Sequence, residues 1–130
     1  LFQTLVVEPN AALIKRLRDM GVTVPIIGFP RGAATMIGSY ADQVAVNGIG
    51  LDTAISPEHV LKAVPNSIAV QGHLDPVLLI EGGPAMERRV REILAAYKGR
   101  PHIFNLGHGV RPDTPIANVE RVVQIVREQA

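Results

Sequence analysis

The chain has 130 residues, enough for one hydrophobic core and too few for two. Its 13 Lys and Arg against 12 Asp and Glu leave a net charge of +1, and only 19% of residues are charged. That balance carries neither the basic footprint of a nucleic-acid binder nor a polybasic membrane patch. A hydrophobic content of 47% excludes a disordered segment, and the lack of any cysteine removes disulfides, thiolate zinc sites and cysteine nucleophiles.

The 12 Gly and 10 Pro exceed the usual share and imply many turns. No apolar run approaches the roughly 20 residues of a membrane-spanning helix, and no charged-then-apolar leader opens the chain. A start at Leu1 rather than Met suits a piece of something longer. Leu1, Phe2, Leu5 and Val6, then Leu13, Ile14, Leu17 and Met20, share helical spacing. Pro9 should break or kink that helix, and Gly21 should end it. Residues 24–29 form a short apolar run stopped by Pro30 and Gly32, which predicts a buried strand. A short helix is expected over 36–44 and a second strand over 48–52. Ser56 followed by Pro57 supplies an N-cap and a first-turn proline for a helix to about residue 64. Residues 67–72 read as a third strand. Gly82, Gly83 and Pro84 lead into the clearest helix, with Met86, Val90, Ile93, Leu94 and Tyr97 on one face and Gly99 beyond its end. Residues 102–106 read as a fourth strand. Thr114 and Pro115 then open a last helix with Ile116, Val119, Val123 and Val126 facing inward.

The strands are continuously apolar rather than alternating, the mark of parallel strands covered on both faces. Strand–helix alternation with short connections means right-handed β/α units. Two closures fit: a small open doubly wound sheet, or about half of a (β/α)8 TIM barrel. Either way the carboxyl ends of the strands are where a ligand should bind. Polar residues gather there: Arg31 after the first strand, Asp52 after the second, Gln71, His73 and Asp75 at the third, Asn105 and His108 at the fourth. Turn-forming residues also collect at strand ends for backbone reasons alone. Arg31 is the only cation of this rim, and its rival role is an ion pair to Asp52 or Asp75. His59 in a first helical turn and His102 at the base of a strand read as structural.

Other chemistries fail on residue type. Gly48, Ile49 and Gly50 lack the third glycine and helix start of a dinucleotide fingerprint, and there is no phosphate loop. His73 and Asp75 with His108 supply too few ligands for a metal site. Ser39, Ser56 and Ser67 have no nucleophile-elbow context.

The last strand is more specific. His102, Ile103, Phe104, Asn105, Leu106, Gly107, His108 and Gly109, followed by Pro112, Asp113, Thr114 and Pro115, resemble the C-terminal signature of the uroporphyrinogen decarboxylase family. Three further stretches fit that family in order: Phe29-Pro30-Arg31-Gly32, Gly50-Leu51-Asp52, and Val70-Gln71-Gly72 with Leu74-Asp75-Pro76. The resemblance spans the chain but matches the family's C-terminal half only. His73 stands where the family usually has asparagine, and Thr53 where many members have tryptophan.

The resemblance implies a cofactor-free carboxy-lyase on an eight-stranded barrel, a cytoplasmic homodimer. It would remove carbon dioxide from the four acetate arms of uroporphyrinogen III to give coproporphyrinogen III, on the way to haem. Carbon dioxide loss leaves a carbanion, and a protonated pyrrole within the substrate can serve as its electron sink. Eight substrate carboxylates call for arginines and hydrogen-bond donors. The family's essential aspartate and main arginines belong to its N-terminal half, so no catalytic residue is expected here and the chain alone should be inactive. His108 carries over as a substrate-carboxylate contact, with Arg31, Asn105 and Gln71 as further substrate-binding candidates. Expected partners are uroporphyrinogen and either the N-terminal half or a second copy of the chain, with no nucleic acid and no membrane. Two alternatives stand beside this: a barrel methyltransferase, against which the missing cysteines count, and a non-catalytic α/β binding module.

Overall fold

In the computed structural model, residues 1–129 are described, and they form four β/α units in sequence. The first helix begins as a π-helical turn, Gln3–Val7, and continues as α1, Glu8–Asp19. The expected disturbance at Pro9 takes this form: the Glu8 N–H reaches back to Gln3 O, a wider turn just ahead of a proline that cannot donate. The chain thus changes helical register without a break.

β1 (Ile27–Gly28), β2 (Gly48–Gly50), β3 (Ala69–Gln71) and β4 (His102–Ile103) are shorter than the apolar runs that contain them. All three pairings are parallel, and the order is β1-β2-β3-β4. This order decides between the two closures. Right-handed crossovers that always step in one direction put every helix on the same face. A doubly wound sheet needs a reversal of strand order, and there is none. The arrangement is half of an α/β barrel.

Burial follows the pairing register. The row Gly28, Ile49, Val70 and His102 faces the helices, and both Ile49 and Val70 are fully buried. The neighbouring rows face the other way, and there Ile27 is 42% exposed, Phe29 48% and Ile103 46%. The expectation of strands covered on both faces is therefore met on one face only. Apolar residues on the second face suit a barrel interior, of which four strands build one wall.

The helical layer comprises α2 (Ile37–Gln43, entered through the tighter turn Ala34–Met36), α3 (Pro57–Ala63), α4 (Pro76–Glu81), α5 (Gly83–Ala96) and α6 (Ile116–Glu128). Ser56 Oγ accepts from His59 N–H at 3.2 Å, the expected N-cap of α3. Helix α4 is absent from the sequence reading, although Asp75 followed by Pro76 repeats the Ser56-Pro57 signature. Met86, Val90, Ile93 and Tyr97 are buried as expected on α5. Helix α6 departs from expectation: Val122 and Ile125 are its buried residues, Val119 and Val126 pack beside them, and Ile116 and Val123 are exposed. Its sequence offers two overlapping apolar stripes, and docking on α5 selects one. At the base of the sheet, Arg18 donates to Val22 O, Val24 O and Asn47 Oδ1, each at 2.8 Å, which ties α1 to the first two strands.

Candidate substrate-binding cleft

A cleft of about 430 Å³ opens at the carboxyl ends of the strands, on the face away from the helices. Ile27, Phe29, Leu51, Leu106 and Val110 make its apolar lining, and Gln71, Asn105 and His108 supply its polar side chains. Three of the four substrate-binding candidates therefore share one concavity. Arg31 is exposed on the loop after β1, two residues beyond Phe29, and is not part of the lining.

Local hydrogen bonds set what each polar group offers. His108 Nδ1 accepts from Gly109 N–H at 2.8 Å. A ring nitrogen that accepts carries no proton, so the neutral imidazole bears its hydrogen on Nε2 and is a donor to whatever enters. Asn105 Oδ1 accepts from Leu106 N–H at 2.8 Å, which commits the acceptor and leaves the Nδ2 hydrogens without a partner among the described residues. The Gln71 carboxamide has none there either. The loop that carries His108 can reach the second strand's loop only because Gly107 has no side chain: a Cβ would lie 2.6 Å from Thr53 N and 2.9 Å from Asp52 C.

The rest of the rim is structural. Asp52 accepts from Gly32 N–H at 2.7 Å and from Ala54 N–H at 2.9 Å. Asp75 accepts from Val77 N–H at 2.8 Å as the N-cap of α4. The alternative ion pair of Arg31 with Asp52 or Asp75 is not formed: both carboxylates are engaged by backbone. His73 is corrected most. It is 2% exposed, lying behind the sheet with Nε2 3.1 Å from Tyr97 Oη. Burial, then the charges of Arg89 and His102, push it down to about 4. His102 is structural as expected, with Nε2 3.0 Å from Gly72 O and its ring 4.7 Å from that of Tyr97. Burial lowers its pKa too, against the opposing pull of the Gly72 bond.

The cleft thus joins an apolar floor to hydrogen-bond donors at its rim, and the nearby Arg31 guanidinium has no ion-pair partner among the described residues. Among the described residues no group of three or more His, Cys, Asp and Glu is placed to hold a metal ion, and no helix is long and apolar enough to cross a membrane.

Consecutive parallel β/α units with a ligand face at the strands' carboxyl ends define the class: a TIM-barrel half with its site on the loop side. Residues 1–129 match the family model described as uroporphyrinogen decarboxylase (URO-D), and the chain belongs to that family. Among curated relatives, a uroporphyrinogen decarboxylase of Hyphomonas neptunium is 56% identical over 127 residues, 98% of this chain and 37% of that protein. One of Phenylobacterium zucineum is 49% identical over 126 residues, 97% of this chain and 36% of that protein. One of Maricaulis maris is 43% identical over 130 residues, 100% of this chain and 38% of that protein. The chain thus spans little more than a third of the length of these relatives.

Proposed function

We propose that this chain forms the C-terminal wall of a uroporphyrinogen decarboxylase and there binds the carboxylates of uroporphyrinogen. The observation that carries the reading is His108, held by Gly109 N–H so that its Nε2 is a donor in an apolar-floored cleft. Membership of the family and the names of the curated relatives support decarboxylation of uroporphyrinogen as the reaction. In that reaction the bond between an acetate methylene and its carboxylate breaks. Carbon dioxide leaves, the electron pair passes into a protonated pyrrole, the methylene carbon takes a proton to become a methyl group, and the ring gives up its extra proton to restore the pyrrole. No cofactor takes part.

The residues of this chain bind and orient rather than transfer protons. His108 Nε2–H, the Asn105 Nδ2 hydrogens, the Gln71 carboxamide and the Arg31 guanidinium hold substrate carboxylates, and Ile27, Phe29 and Leu106 pack against the macrocycle. The carboxylate that stabilises the cationic pyrrole, and the main arginines that pair with substrate carboxylates, come from the N-terminal half, which makes this chain inactive by itself. The working protein is cytoplasmic and dimeric, and the chain's partner in it is that half.

The test uses a chimera in which this chain replaces the matched segment of the Hyphomonas neptunium protein. His108→Ala should lower kcat/KM by roughly ten- to 150-fold, the worth of one hydrogen bond to a charged group. An unchanged kcat/KM would refute the role given to His108.

A further inference from the structure

The loop after β2 sits at the centre of the rim, and two ligand-facing loops lean on it. The first is the loop carrying Arg31. There Arg31 N–H donates to Phe29 O at 2.9 Å and Ala33 N–H donates to Pro30 O at 3.2 Å. Among the described residues, the hydrogen bond from this turn to another element is that of Gly32, at φ +74°, whose N–H donates to Asp52 Oδ2 at 2.7 Å. The second is the loop carrying His108, whose Gly107 packs directly on the backbone of Asp52 and Thr53. The other carboxylate oxygen of Asp52 accepts from Ala54 N–H at 2.9 Å, which fixes the side chain relative to its own loop. Asp52 is half-buried, has both oxygens engaged by backbone N–H groups, and forms no ion pair with Arg31. Arg31 in turn has no ion-pair partner among the described residues.

We propose that Asp52 is the positioning residue of this rim: its carboxylate holds the loop that presents Arg31, while its backbone seats the loop that presents His108. The inference rests on the reading that the rim receives a polycarboxylate. Two anion-facing groups on separate loops need a common anchor, because a guanidinium on an untethered loop loses most of its contact to disorder. A carboxylate that accepts two backbone N–H bonds supplies that anchor, and the two N–H dipoles offset part of its charge beside an anionic ligand.

The test is a double-substitution cycle in the Hyphomonas neptunium chimera, with tryptic cleavage of the Arg31–Gly32 bond followed in parallel by mass spectrometry. Asp52→Ala and Arg31→Gln should each raise KM about tenfold with kcat little changed, and the pair should raise it no further than either alone. Asp52→Asn, which keeps an acceptor for Ala54 but not for Gly32, should lie between Asp52→Ala and the unsubstituted protein. Cleavage after Arg31 should accelerate at least about fivefold in Asp52→Ala, with cleavage after Lys98 unchanged as the control. Multiplying KM effects, or an unaltered rate of cleavage after Arg31, would overturn the proposal. A chimera that fails to turn over uroporphyrinogen refutes the proposed function instead, and the cleavage rates then judge Asp52 on their own.

Discussion

His73 shows how one buried side chain couples this fold to pH. Its Nε2 meets the Tyr97 hydroxyl, and burial pushes that tyrosine up to about 12, so the phenol keeps its proton and can donate it. The imidazole is then neutral, with Nδ1 lacking a partner among the described residues. The groups facing it are Tyr97 and Arg89 from α5, His102 from β4 and Asp52 from the second strand's loop, and only Asp52 favours its charging. An unfolded histidine titrates near 6.5 and the folded one near 4, so between those values the unfolded chain binds the extra proton. Stability is therefore complete above about pH 6.5 and falls as the pH drops toward 4. The loss from this group is about 3 kcal/mol, and His102, shifted the same way, adds to it. Denaturant unfolding between pH 4 and 7 should show this slope, and His73→Asn should flatten it. An equally steep profile in the variant would mean that His73 is not its source.

Beside their apolar packing, helices α4, α5 and α6 are joined by two polar cross-links. Asn118 on α6 donates from Nδ2 to Leu79 O at 2.8 Å and Ile80 O at 3.0 Å, satisfying carbonyls in the last turn of α4. The chain leaves α4 through Gly82, at φ +67°, where a Cβ would lie 2.6 Å from that same carboxamide. Asn118→Ala should cost about 1–3 kcal/mol in chemical unfolding, because two partly buried acceptors lose their donor. Glu87 on α5 takes a paired contact from Arg121, at 2.7 and 2.8 Å, and a third bond from Arg91 at 3.1 Å. These bonds, Arg121 first, hold the Glu87 carboxyl down to about 2, well below its usual 4.5. The cross-link therefore persists through the neutral range and is lost only as the pH falls from about 4.5 toward 2. Amide exchange in α6 should quicken in Glu87→Gln and in high salt, while α1 is unaffected. The helices read most clearly from sequence were those with an N-cap, a first-turn proline and one apolar stripe, as in α3 and α5. Helix α4 escaped because its six residues are too few for a period, leaving only Asp75-Pro76 as a signal. The two stripes of α6 could be separated only by contact with α5. The cleft was half legible: strand ends pointed to Gln71, Asn105 and His108, but a polar residue at a strand end can face ligand, backbone or core. His73 went to the core and Asp52 to the backbone, and nothing in residue order alone distinguishes those fates.

On the scale of the whole molecule, β1 and β4 are the edges of the sheet, each paired on one side only among the described residues, and Ile27, Phe29 and Ile103 are exposed on or beside them. Such edges pair or are covered. In isolation the chain should associate with itself, the β1 of one copy beside the β4 of its mate, closing eight strands about a two-fold axis. Light scattering at micromolar concentration should therefore give a dimer or larger species; a clean, cooperatively unfolding monomer would contradict this. The same surface is the one that the N-terminal half is proposed to cover in a decarboxylase. That claim is tested most directly by complementation. The chain is assayed for decarboxylation of uroporphyrinogen alone, and then after refolding with the portion of the Hyphomonas neptunium protein that lies outside the matched segment. The account predicts no turnover by either piece and coproporphyrinogen from the mixture; turnover by this chain alone, or none from a mixture shown by light scattering to have assembled, would contradict it.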